Sequence, residues 1–145
     1  MSQPTTSNRF VARMLCSPLH VFMSGILLIT VTGRKSGQPI STPVNYVRDG
    51  DMLIVTSRVD RTWWRNLRGG ARISLRLNGK TYQADAIVLE DRLAVEKELL
   101  RYFQVARRTF AGIHLTPDGQ PTDPGKFAEV AKSRVIVYIT RLTLL

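Results

Sequence analysis

Residues 71–89 read ARISLRLNGKTYQADAIVL, and their pattern decides the architecture. Ile73, Leu75 and Leu77 fall on one face of an extended chain and Arg72, Ser74 and Arg76 on the other, the period of two that a half-buried strand requires. Asn78-Gly79 supplies two residues that tolerate positive φ, so the chain turns back tightly and Lys80 to Leu89 returns beside the first strand. Such a turn excludes a parallel βαβ unit here, because that needs a crossover of about a dozen residues or more.

The same grammar extends towards the N-terminus. Ile26 to Thr32 reads as a strand with apolar residues on both faces, followed by the turn Gly33-Arg34-Lys35-Ser36-Gly37. A strand from Ile40 to Val47 then passes through Asp49-Gly50 into a third, Met52 to Thr56. Asp60 is placed to cap a short helix over Thr62–Leu67, which Gly69-Gly70 would end. Beyond the central hairpin, Asp91 starts a helix with Val95, Leu99, Tyr102, Phe103 and Ala106 as its buried stripe. Residues 116–125 are loop by composition, Lys126–Ala131 a short helix and Val135–Thr140 a last strand. Six strands joined by hairpins, with few helices, predict a six-stranded antiparallel β-barrel, mainly β with flanking helices (α+β).

A chain of 145 residues fits one domain over 1–145, with residues 1–7 polar and loose. Phe10, Val11, Met14 and Leu15 recur at helical spacing after a cap at Ser7 or Asn8, and Arg9 and Arg13 beside them would suit a peripheral membrane contact or packing across the barrel. Leu15 to Thr32 is interrupted by Pro18, His20, Ser24 and Gly25 and falls short of the roughly 20 apolar residues of a span. No signal peptide is read, and the single cysteine, Cys16, rules out an intrachain disulfide framework and agrees with a cytoplasmic location.

Charge narrows the partners. Twenty-one Lys and Arg against 11 Asp and Glu give a net +10, which favours an anionic partner: nucleic acid, an acidic membrane surface or a phosphorylated cofactor. Arg65, Arg68, Arg72 and Arg76 are the residues a nucleic acid would meet, although no helix-turn-helix, zinc finger or RNP-like signature accompanies them. Neither His20 nor His114 has a carboxylate or cysteine at catalytic spacing, and no metal motif or nucleophile elbow is present. An enzyme of this composition leaves the difficult step to a cofactor.

Two stretches suit one. The Gly33–Gly37 turn combines two glycines with a hydroxyl and two cations, a recipe for phosphate, and equally that of a solvated basic hairpin tip. Ser57-Arg58-Val59-Asp60-Arg61-Thr62-Trp63-Trp64-Arg65-Asn66-Leu67 puts two indoles and three arginines where a strand gives way to a helix; the rings would serve either as core anchors or as a wall for an anionic aromatic ligand.

Thr32-Gly33-Arg34-Lys35-Ser36-Gly37, Thr42-Pro43-Val44, the Asp-Gly-Asp hairpin at 49–51 and Trp63-Trp64-Arg65-Asn66-Leu67, in that order, resemble the deazaflavin-dependent nitroreductase family over about Leu15 to Leu89. The resemblance implies a split β-barrel that binds coenzyme F420 and moves a hydride to a hydrophobic acceptor such as a quinone, nitroaromatic or enone. It also implies that Gly33, Arg34, Lys35, Ser36 and Gly37 hold the phosphate, with Thr42 and Pro43 nearby. Ser57 and Arg58 would approach the deazaflavin head, Ser57 as the catalytic residue, and Thr62, Trp63 and Asn66 would build the adjoining wall. Tyr102, Phe103 and Phe110 are loose replacements for the aromatic residues that such enzymes turn to substrate. A homodimer is expected of many split barrels. The alternatives are a barrel that takes FMN instead, and a non-enzymatic binder of a fatty acid, haem or nucleic acid.

Overall fold

The computed structural model describes residues 25–107 and 109–145. The helix expected around Phe10–Leu15, and with it Cys16 and His20, lies outside the described residues. The elements are β1 (Ile26–Thr32), β2 (Pro39–Asp49), β3 (Met52–Arg58), a 3-10 helix (Trp63–Leu67), β4 (Ala71–Leu77), β5 (Lys80–Leu89), α1 (Arg92–Ala106), α2 (Pro124–Lys132) and β6 (Arg134–Leu144). The strands form a closed antiparallel barrel in the order β1-β2-β3-β6-β5-β4.

The hairpin of residues 71–89 has the expected register, from Ala71 opposite Ala86 to Leu77 opposite Lys80, with Asn78 and Gly79 both at positive φ. Alternation then separates two cores. Leu27, Ile29 and Val31 of β1, Leu53 and Val55 of β3, Ile73, Leu75 and Leu77 of β4 and Val135, Val137 and Ile139 of β6 fill the barrel, and Trp63, Trp64 and Leu67 join them from the 3-10 helix. The opposite faces of β3 and β6 present Ile54 and Ile136 to Val95, Leu99, Tyr102 and Phe103 of α1 and to Phe127 and Ala131 of α2. The barrel is therefore filled with side chains, and its helices cover one outer face.

Several expected boundaries shift for identifiable reasons. β3 continues two residues past Thr56, because β6 supplies partners as far as Arg58 opposite Arg134. The short helix is a five-residue 3-10 turn with Thr62 at its N-cap position and no side-chain cap; Asp60 pairs with Arg58 at 2.7 Å instead. α2 begins at Pro124, earlier than expected, because Asp123 accepts the Lys126 N–H at 3.1 Å and proline suits the first helical position. Asp91 caps α1 as read, accepting the Ala94 N–H at 3.0 Å.

One departure from regular pairing positions the site. β2 pairs with β1 over Pro39–Asn45, but with β3 only over Tyr46–Asp49. β3 meanwhile runs on through Thr56, Ser57 and Arg58 against β6. β2 and β3 thus diverge below Tyr46 and Val55, leaving a seam between residues 43–45 and 56–58. Among the described residues, no helix is long and apolar enough to cross a membrane.

Candidate functional site

The seam opens into a cleft of about 300 Å³, with Pro43, Val44 and Asn45 on one wall and Thr56, Ser57 and Arg58 on the other; Trp63, Arg61, Arg134 and Ile26 complete it. Ser57 is buried, and its hydroxyl is tied at both ends: it accepts from Trp63 Nε1 at 3.2 Å and donates to the Arg58 carbonyl at 3.3 Å. Trp64 Nε1 donates to that same carbonyl at 3.2 Å. Both indoles are therefore core anchors, and Trp63 also borders the cleft.

Three guanidinium groups line this small space. Arg58 and Arg134 are directly opposite in the β3–β6 ladder, an arrangement of like charges that costs stability when nothing neutralises it. The Asp60 carboxylate pairs with Arg58, but both side chains are more than half exposed, so the pair contributes little. Arg61 donates to the buried Thr42 hydroxyl of β2 at 3.1 Å. Burial holds the Arg134 guanidinium below its usual pKa; Tyr102 works against that shift, Arg58 adds to it and Asp60 opposes it. A cleft with this donor set fits an anion.

A second chamber of about 350 Å³ continues from the first and shares Asn45, Thr56 and Arg134 with it, adding Tyr102, Thr109 and Phe110. Arg134 lies over the Phe110 ring, 4.3 Å from its centroid. Of the aromatic residues expected near substrate, Tyr102 and Phe110 border this chamber. Phe103 does not, because it is fully buried and stacks edge-on against Phe110 and Phe127 in the outer core.

The Gly33–Gly37 turn stands apart from the cleft lining. Gly33 N–H donates to the Gln38 carbonyl at 2.9 Å, Gly37 N–H to the Gly33 carbonyl at 2.8 Å and Arg34 N–H to Asn66 Oδ1 at 2.9 Å. Ser36 Oγ accepts the Gln38 N–H at 3.2 Å, and the Arg34 guanidinium bonds the Arg68 carbonyl. The turn uses these groups to hold its own shape and to dock on the 3-10 helix, leaving only the amides of Lys35 and Ser36 without a protein acceptor among the described residues. Asn66 links the two regions, since its Nδ2 donates to the Trp63 carbonyl at 3.0 Å.

The structure thus brings Pro43, Ser57, Arg58 and Trp63 into one cleft and sets Thr42 behind Arg61. Asn66 and the turn lie outside the cleft lining, joined to it through the Trp63 carbonyl, and Thr62 is exposed and also outside it. Sequence reading missed Asn45, Thr56 and Arg134. Arg134 left one faint signal, a lone cation directly ahead of the apolar run 135–139. The arginines weighed for nucleic acid are mostly engaged: Arg68 makes two bonds to Glu90, Arg72 pairs with Asp85 at 3.0 Å and Arg76 bonds Thr81 at 3.0 Å. His114 borders a further cavity of about 630 Å³ with Arg107 and Asp118, which shares Thr109 with the second chamber. No cluster of metal-binding side chains occurs among the described residues.

Residues 7–115 match the family model described as F420H(2)-dependent quinone reductase. Among solved structures, the chain is similar to the conserved hypothetical protein Rv2991 from Mycobacterium tuberculosis, at 18% identity, 99% coverage of this chain, 89% of that chain and a TM-score of 0.52. It is also similar to a structure described as a domain-swapped dimer, at 19% identity, 93% coverage of each chain and a TM-score of 0.52. These two likenesses are of fold.

Proposed function

The chain belongs to the F420H(2)-dependent quinone reductase family and is an F420-dependent oxidoreductase, and from that premise we propose that the seam between β2 and β3 holds the coenzyme. The observation that carries this reading is the convergence of Arg58, Arg61 and Arg134 on a cleft whose lining, among the described residues, holds no carboxylate. An anionic ring system with a phosphate-bearing tail fits such a donor set. From Pro43 to Pro39, at the near end of the Gly33–Gly37 turn, β2 covers about 13 Å at roughly 3.3 Å per residue. A ligand with its ring in the seam and its phosphate at the turn spans that interval.

When bound, the reduced coenzyme supplies a hydride. The chain's own residues do the rest. Arg58 and Arg61 neutralise the ligand, Ser57 approaches the ring from a position fixed by the Trp63 indole, and the packed 3-10 helix excludes water from beneath. Lys35 and the amides at 35 and 36 hold the phosphate, on a turn that the Arg34 guanidinium docks to the Arg68 carbonyl. The acceptor, a quinone, nitroaromatic or enone, enters the chamber of Tyr102 and Phe110. This reading treats 1–145 as one coenzyme-binding domain working in the cytoplasm, and a homodimer is compatible with it.

Titration with oxidised F420, followed by the coenzyme's fluorescence, tests the assignment. The wild type is expected to saturate below tens of micromolar. Arg58→Ala/Arg61→Ala should bind at least about tenfold more weakly at low salt, since two charge-assisted contacts contribute roughly 1.5–3 kcal/mol each. That difference should shrink at high salt as the charges are screened. No binding by the wild type removes the cofactor reading, and equal binding by the double variant removes the seam as its site.

A further inference from the structure

Arg134 occupies wall that the seam cleft and the Tyr102–Phe110 chamber have in common. It is the first residue of β6, held opposite Arg58 by the ladder, so its backbone is fixed. Among the described residues no carboxylate lies within ion-pair distance of it, and its guanidinium carbon lies 4.3 Å from the centre of the Phe110 ring. A guanidinium carries five N–H donors and keeps its charge, so one that no carboxylate neutralises is free to meet an anionic oxygen. Here is a half-buried, preorganised cation between the place assigned to the coenzyme and the place assigned to the acceptor.

We propose that Arg134 receives the negative charge that appears on the carbonyl oxygen of a quinone-type acceptor in the chamber it shares with the seam; this rests on the coenzyme occupying the seam and the acceptor the chamber. The acceptor takes a hydride from the reduced coenzyme, so one C–H bond breaks with its electron pair and one bond to hydrogen forms. The acceptor is thereby reduced by two electrons, and its carbonyl oxygen becomes an oxyanion paired with Arg134. A proton from water then converts the oxyanion to a hydroxyl. Donors aimed at developing charge in a site shielded from water are among the strongest contributors to catalysis.

4-Nitrophenol, a planar ring whose phenolate alone absorbs visible light, serves as a probe that needs no turnover. Bound to the wild-type chain, its apparent pKa should fall by about one pH unit, a tenfold preference for the oxyanion. Arg134→Met should abolish the fall while melting like the wild type, and Arg134→Gln, which keeps polarity without charge, should do the same if the methionine variant folds poorly. In turnover with a quinone, both variants should lose at least about tenfold in kcat. An undiminished pKa fall in the folded variants overturns the role of Arg134. F420 titration separates the two readings: normal coenzyme binding with an unchanged probe pKa defeats this inference alone, whereas no coenzyme binding by the wild type defeats the reading beneath it.

Discussion

Ser57 shows how one side chain serves the fold and the site together. Its hydroxyl accepts the hydrogen bond of the buried Trp63 indole, so Ser57→Ala leaves an N–H without a partner inside the barrel. An orphaned buried donor costs about 1–3 kcal/mol, a loss that urea unfolding will register. The loss should shrink when Ser57→Ala is made in a Trp63→Phe background, where no indole remains to be orphaned. If Ser57→Ala alone unfolds at the wild-type urea concentration, the indole does not depend on this serine. Any fall in turnover for the same variant must be read beside this stability change, because a displaced Trp63 also reshapes the cleft.

Among the elements, α1 is held to the barrel by more than its apolar stripe. Arg101 pairs with Asp49 at the end of β2, and Glu98 lies beside the Tyr138 phenol of β6. The Tyr138 pKa is raised well above its ordinary value, first by burial and then by the hydrogen bond and charge of Glu98. A raised phenol stays neutral in the folded protein at pH values where the unfolded chain has ionised. Its contribution to stability is therefore complete below about pH 10 and declines as pH rises beyond that. Tyr138→Phe should flatten the decline in unfolding free energy measured between about pH 9 and 11; an unchanged slope would place the alkaline sensitivity elsewhere, with Tyr46, also raised chiefly by burial, as the next group to replace. Elements of this kind were partly legible beforehand. The 71–89 hairpin could be read because its pattern and its turn are both local, and Asp91 because a cap needs only the next three residues. Asp60 misled because a five-residue 3-10 turn does not require the cap of a longer helix. The end of β3 and the place of Arg134 were hidden because both depend on the pairing of β3 with β6 across more than seventy residues, which no local pattern encodes.

At the scale of the whole molecule, the barrel is a closed ring of pairings that narrows to Leu28–Thr30 between β1 and β4 and parts between β2 and β3. Along the seam, residues 39–45 of β2 are paired only with β1, and residues 56–58 of β3 only with β6. Each is a short strand edge, and an unpaired edge is a template on which a strand from another molecule can add. Pro43 lies in that stretch of β2 opposite Leu28, and proline is tolerated in a strand only where its missing donor is not called for by the ladder. Replacing it with valine restores an N–H and a residue that favours strands. Pro43→Val should therefore associate at lower protein concentration than the wild type in light scattering, and an unaltered concentration dependence would show that the edge is protected by something else. The opening proposed for the coenzyme is thus also a weak point for aggregation, and a single imino acid on its rim denies an incoming strand its regular run of donors.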